Sequence, residues 1–288
     1  MFNKGSELLK LCKEQNKKIS EIVMEKEMDD NDISYDELMD KMKSVLDTMI
    51  KSATTALDKE VISVSKLSGG DAKKMEDYKN KGNTISGELI TSAMAKALST
   101  SEVNASMGRI IAAPTAGASG ILPSAIITVK DKFNLSEEDM IAGLFTAAGI
   151  GEIIAKNATI SGAEGGCQAE CGAASSMAAA AIVEMVGGNA EASLNAASFA
   201  MINIMGLVCD PVAGLVEFPC ALRNASGVVN ALVSADIAMA GIKSLVPFDE
   251  VIDAMYRVGK SMPESLKETA LGGVAATPTG DKLKGRVL

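Results

Sequence analysis

The sequence predicts an all-α protein, a single mostly helical domain, on three observations. Hydrophobic residues make up 47% of the 288 residues, yet only 3% are aromatic and there is no Trp. The core must therefore be built from Ala, Met, Ile, Leu and Val, a set that favours helices packed through small side chains. Uncharged Ala-rich runs are bounded by glycine-bearing breaks. No stretch alternates apolar and polar residues convincingly over six positions, which excludes a sheet of consequence.

Taken in order, the elements divide by charge. Residues 1–80 hold 31 of the 65 charged side chains, whereas 157–246 hold nine. The opening "SELLKLCKEQNKKISEIVMEKEMDD" spaces apolar residues helically among Lys and Glu. "SYDELMDKMKSVLDTMIKSATTALDK" continues so, with Ser34 and Glu37 as a capping-box pattern. Residues 1–60 are expected to form a peripheral helical layer of the same domain, and 61–288 its main body. Helices are expected at 86–99, 138–154, 173–186, 190–208 and 225–245. A helix apolar on every side is one buried on every side. The breaks are "SGGDAKK", "AAPTAGASGILPS", "ISGAEGGCQAECG" and "CDPVAGLVEFPC".

The net charge of −9 argues against nucleic acid, which needs clustered basic residues. The most membrane-like stretch, 192–209, contains Asn195 and Asn203 and lacks basic flanks, so a buried helix is expected rather than a span. No secretory signal is visible in the charged N-terminus, and a cytoplasmic location is expected. The thiols are then free for metal or chemistry.

The chain has no His and five Cys, four of them in its least charged part. Cys12, in an amphipathic helix, is expected to be a small core residue. Cys167, Cys209 and Cys220 each sit beside a turn-forming Gly or Pro, in "GGCQ", "CDPVAG" and "FPCAL", where a helix end can aim a sulfur into a cavity. The CxxxC spacing and the absence of His do not suit a zinc knuckle, and a redox pair would want CxxC. Iron–sulfur clusters accept thiolates from separated loops. Three thiolates on a four-iron cubane would leave one iron open as a Lewis acid, which the spacing permits. The glycine turns at Ser68–Gly70 and 114–120 offer backbone N–H groups to a carboxylate. Neither has the order of a nucleotide loop.

"SGAEGGCQAECGAASSMAAAA", "CDPVAGLVEFPCALRNASGVVNA" and "NASMGRIIAAPTAGASGILPSAI" closely resemble the alpha subunit of bacterial iron–sulfur-dependent L-serine dehydratases. "MPESLKETALGGVAATPTGDKL" and "LSGGDAKKM" resemble it too, so the likeness covers about residues 60–285 and makes 61–288 the catalytic iron–sulfur region. It implies a [4Fe-4S] cluster on Cys167, Cys209 and Cys220, and L-serine converted to pyruvate and ammonia. Cys171 falls where the family carries a small apolar residue, often valine, and is expected to line the pocket wall. Lys156, ahead of the first ligand, is the expected base if burial lowers its pKa, against the alternative of a pair with Glu164. Ser68, Gly69, Gly70, Asn104, Ser106, Thr115, Gly117 and Asn224 are expected substrate binders. Arg223 and Asn224 are placed to hydrogen-bond the cluster's sulfurs or the substrate. No lysine has a Schiff-base setting, which disfavours pyridoxal phosphate.

Single-chain family members carry a second module with a Ser-Ser-His-Thr motif that has no counterpart here, which implies a separate beta subunit. The terminal cysteine that caps the open iron in some relatives is also missing from "KGRVL". Elimination from L-threonine or L-cysteine, and a non-catalytic metal-binding subunit, stand as alternatives.

Overall fold

Thirteen α-helices carry the residues described, 2–287, in the computed structural model. They are α1 (Gly5–Gln15), α2 (Ile19–Asn31), α3 (Tyr35–Thr54), α4 (Asp71–Asn80), α5 (Gly87–Ala105), α6 (Ile121–Phe133) and α7 (Glu137–Asn157). There follow α8 (Gly162–Gly165), a π-helical turn (Gln168–Gly172), α9 (Ala173–Met185), α10 (Ala190–Ile204), α11 (Cys220–Met239), α12 (Phe248–Ser261) and α13 (Pro278–Val287). Pairing between extended segments is limited to two isolated bridges among the described residues, Ile62 with Gly69 and Cys209 with Lys267. No described helix is long and apolar enough to cross a membrane.

The five expected helices are present with shifted ends, those expected to reach 208 and 245 stopping at Ile204 and Met239. The first run extends to Ala105, which puts Asn104 in the last turn of α5 and Ser106 at its C-cap. The break "AAPTAGASGILPS" contains the start of α6, because Pro123 lies in a first turn whose N–H groups lack intrahelical partners anyway. Cys220 is the first residue of α11, five positions ahead of the expected start. Helices α4, α6 and α13 are additions, and so is α12. Val251, Ile252, Met255 and Gly259 make up its buried face, a short apolar stripe in a charged sequence.

All thirteen residues of α9 are buried, as expected of a run with no polar face. Helices α6, α7, α10 and α11 surround it. Its serines show how closely the neighbours approach: Ser175 Oγ donates to the Gly227 carbonyl at 3.0 Å and Ser176 Oγ to that of Ala197 at 2.9 Å. Buried hydroxyls need such partners, and only small side chains bring a neighbouring backbone within reach.

The N-terminal helices are tied to this body by charge as well as by Phe2, Leu8, Ile19, Val23 and Leu46, which share its core. Ser34 and Glu37 form the expected capping box on α3. On α1, α2 and α4 no N-cap side chain accepts from the first turn, although Glu7 and Glu21 accept from the N–H groups of Asn3 and Lys18, each at 2.7 Å. Distant carboxylates serve instead. Asp249 accepts from the N–H of Gly5 (2.6 Å) and Ser6 (3.1 Å). Glu184, on α9, accepts from Ile19 (3.0 Å) and Ser20 (3.3 Å), and Glu102, on α5, from Asp71 (2.5 Å) and Ala72 (3.0 Å). Each meets orphan donors at the positive end of a helix.

Candidate active site around Cys167, Cys209 and Cys220

Three segments carry the thiols to one place. Cys167 ends the turn after α8, and Gln168 fixes that turn. The Gln168 amide donates to the Gly165 (2.9 Å) and Met255 (3.0 Å) carbonyls and accepts from Gly206 N–H (2.9 Å). Cys209 is held through its backbone, donating to Leu266 O (2.9 Å) and accepting from Glu268 N–H (2.7 Å). Cys220 opens α11, where Asn224 donates to its carbonyl at 2.9 Å. The same amide donates to Gly117 O (2.7 Å) and accepts from Gly120 N–H (2.8 Å), fastening the 114–120 loop to the start of α11.

Glu170 occupies the middle. Its Oε1 accepts from Thr115 Oγ1 at 2.7 Å, and its Oε2 lies 3.8 Å from Cys209 Sγ. Gly162 lets this happen. A Cβ there would stand 2.5 Å from Glu170 Oε2 and 3.0 Å from Cys209 Sγ, so no larger residue fits without displacing both. Burial raises the Glu170 pKa, reinforced by the Glu268 charge and opposed by the Thr115 bond.

The thiols respond to one another. Burial pushes Cys220 up to about 12, with the charges of Cys167 and Glu170 adding to it. Burial raises Cys209 as well, and Glu170 and Cys167 raise it further. Cys167 goes the other way, lowered by its hydrogen bond with Cys171 and aided by the positive charge of Arg223. Arg223 is fixed by Val208 O (2.9 Å) and Asp210 (2.7 Å).

The expected site residues divide accordingly. Thr115, Gly117 and Asn224 join the three thiols through Glu170 and the 114–120 loop. Ser68 Oγ donates to Glu217 Oε2 at 2.6 Å, in the loop before Cys220, while Gly69 pairs with Ile62 and Gly70 precedes α4. Ser68, Gly69, Glu102, Glu217 and Ala221 border a small cavity of about 10 Å³. Asn104 lies half-buried at the end of α5, and Ser106 lines a separate cavity of about 540 Å³ against α3.

Lys156 must be corrected. It is exposed, paired with Glu152 at 2.6 Å and donating to Asn3 at 3.1 Å. An exposed ammonium engaged by Glu152 and Asn3 does not face the thiols. Its partner is Glu152, one turn back on the same helix, rather than Glu164. Glu170 was missed, although an acid in so charge-poor a stretch was a signal. Four of the nine charges in 157–246, Glu170, Asp210, Glu217 and Arg223, lie in the segments that carry the thiols.

Among the described residues, no three Cys, Asp or Glu side chains converge as they would around a single metal ion. Thiolates on a cubane sit at separate corners and do not meet at one point. Soft sulfur donors from separated loops, mostly buried and next to a fixed guanidinium, fit such a cluster better than a lone ion.

The family model described as serine dehydratase alpha chain matches residues 14–275. The L-serine dehydratase alpha chain of Peptoniphilus asaccharolyticus is 51% identical over 284 residues, 99% of this chain and 97% of that one. The probable L-serine dehydratase alpha chain of Bacillus subtilis is 49% identical over 287 residues, 100% of this chain and 95% of that one. An L-serine dehydratase of Helicobacter pylori is 37% identical over 282 residues, which are 96% of this chain and 62% of that protein.

Proposed function

The chain belongs to the serine dehydratase alpha-chain family, and from that premise we propose that it is the catalytic subunit that eliminates water from L-serine, giving pyruvate and ammonia. The observation that carries the proposal is the gathering of Cys167, Cys209 and Cys220 around the half-buried carboxylate of Glu170. The three thiolates would hold a [4Fe-4S] cluster. When bound, it supplies an open Lewis-acidic iron for a poor leaving group, serine's β-hydroxyl.

The chain's own residues do the rest. Glu170 replaces Lys156 as the group that holds or moves a proton, at Oε2. Thr115 fixes the other oxygen, so the carboxylate cannot swing away. Arg223 keeps a positive charge beside the thiolates, and Asp210 holds its guanidinium in place. Asn224 fixes the 114–120 loop, whose N–H groups, with the Ser68–Gly70 turn, are offered to the substrate carboxylate. The surrounding helices leave Glu170 and Arg223 half-buried, so their charges act at a lower effective dielectric than in water.

That the Peptoniphilus asaccharolyticus and Bacillus subtilis relatives are named alpha chains supports a separate beta subunit as the partner here, and the cytoplasm is our proposed location. The test is anaerobic reconstitution with iron and sulfide, then turnover of L-serine, L-threonine and L-cysteine with and without that partner. Preference for L-serine, and a change in the visible spectrum on adding it, are expected. Preference for L-cysteine would overturn the substrate assignment, and full activity of the chain alone would rule out the partner.

A further inference from the structure

We propose that Cys171 is a resolving thiol, which captures Cys167 as a reversible disulfide when Cys167 is free of a metal and meets a peroxide. The proposal rests on the assignment of Cys167 as a ligand. The two Sγ atoms are in contact at 3.4 Å and both residues are buried. Sulfurs already in contact need close only to the disulfide bond length of about 2.05 Å. Cys167 caps the π-helical turn and Cys171 lies within it, a departure from regular winding that recurs at working sites. Cys171 has no ligand role in the site above, and an alanine-rich wall has no need of a sulfur there. Cys209 contacts Glu170 at 3.8 Å and Cys12 lies beside Glu184, whereas the sulfur in contact with that of Cys167 is Cys171 Sγ.

The chemistry balances with one equivalent of hydrogen peroxide. The Cys167 sulfur attacks a peroxide oxygen, the O–O bond breaks, and water leaves a sulfenic acid. The Cys171 sulfur then attacks the Cys167 sulfur, the S–O bond breaks, and a second water leaves as the S–S bond forms. The two thiols give up two electrons and two protons, and the peroxide becomes two waters. Without Cys171 the sulfenic acid meets more peroxide and becomes sulfinic acid, which thiol reductants do not reverse. The disulfide keeps Cys167 recoverable while barring it from ligation.

Metal-free full-length chain is treated anaerobically with hydrogen peroxide, then denatured for thiol titration and mapped by mass spectrometry without reduction. In wild type the five thiols are expected to fall by two, with a loss of two hydrogens on the peptide carrying Cys167 and Cys171. A dithiol should restore all five, along with the visible chromophore on reconstitution. In Cys171→Val, and in Cys171→Ser should the valine chain misfold, Cys167 is expected as sulfinic acid and the chromophore should not return. Unchanged wild-type thiols, a disulfide between another pair, or equal sulfinic acid in wild type and variant would each overturn the proposal. Formation of the disulfide in a protein whose chromophore survives Cys167→Ser would overturn the ligand assignment instead.

Discussion

The helices of residues 1–80 and the interior of residues 157–246 put charge to opposite uses. In the first region most charges are exposed and pair either along their own helix, as Lys10 does with Glu14, or across to the body, as Lys26 does with Glu152. Anchoring there comes from elsewhere, through Asp249, Glu184 and Glu102 at the N-termini of α1, α2 and α4. In the second region small side chains let backbones approach, and the few charges that remain have assigned tasks. Glu184 caps a helix, Asp210 fixes Arg223, Glu217 holds the Ser68 turn, and Glu170 faces the thiols. A charge where charges are scarce must offset its own desolvation, so its partners reveal what it does.

The contrast is broken most directly at Glu170. Glu170→Gln keeps the shape and the Thr115 contact, and kcat for L-serine is expected to fall about 10²–10⁴-fold with the helical circular dichroism intact. Retained turnover would make Glu170 an ordinary buried acid. Gly162→Ala tests the same place by volume. Its methyl group meets Glu170 Oε2 and Cys209 Sγ, and iron retention after gel filtration should drop about 10–100-fold.

Glu184 tests the anchoring side. Glu184→Ala leaves the Ile19 and Ser20 N–H groups buried without an acceptor, and urea unfolding should show a loss of about 2–4 kcal/mol. Burial raises the Glu184 pKa, so the folded chain binds that proton more tightly than the unfolded one does. Its contribution to stability is therefore greatest below the ordinary carboxylate range and is lost as pH rises through that range to the raised value. Glu184→Gln should flatten this slope while keeping an acceptor oxygen. At the small end, Lys10→Ala should change stability by less than about 0.5 kcal/mol. A larger change would mean that the N-terminal charges are structural after all.

Much of this contrast was legible in the sequence. The exposed and buried helices followed from charge and small-residue content, and Ser34 with Glu37 announced the start of α3. What local sequence cannot show is a partner far along the chain. The caps on α1, α2 and α4 join residues 30 to 244 positions apart, and no spacing rule links Gly5 to Asp249. Pro123 and Gly120 looked like a loop because a first helical turn tolerates what a loop contains. Lys156 was placed by its nearness in sequence to Cys167, but the last turn of α7 points it at Glu152. The thiols stood out by their turns, whereas Glu170 stood out only by its rarity.

The central claim is that Cys167, Cys209 and Cys220 act as one ligand set. The direct measurement is visible absorbance after anaerobic reconstitution of wild type and of each single Cys→Ser variant. The chromophore should be lost in Cys167→Ser, Cys209→Ser and Cys220→Ser, and kept in Cys12→Ser and Cys171→Ser. A chromophore at wild-type intensity in any of the first three would contradict it.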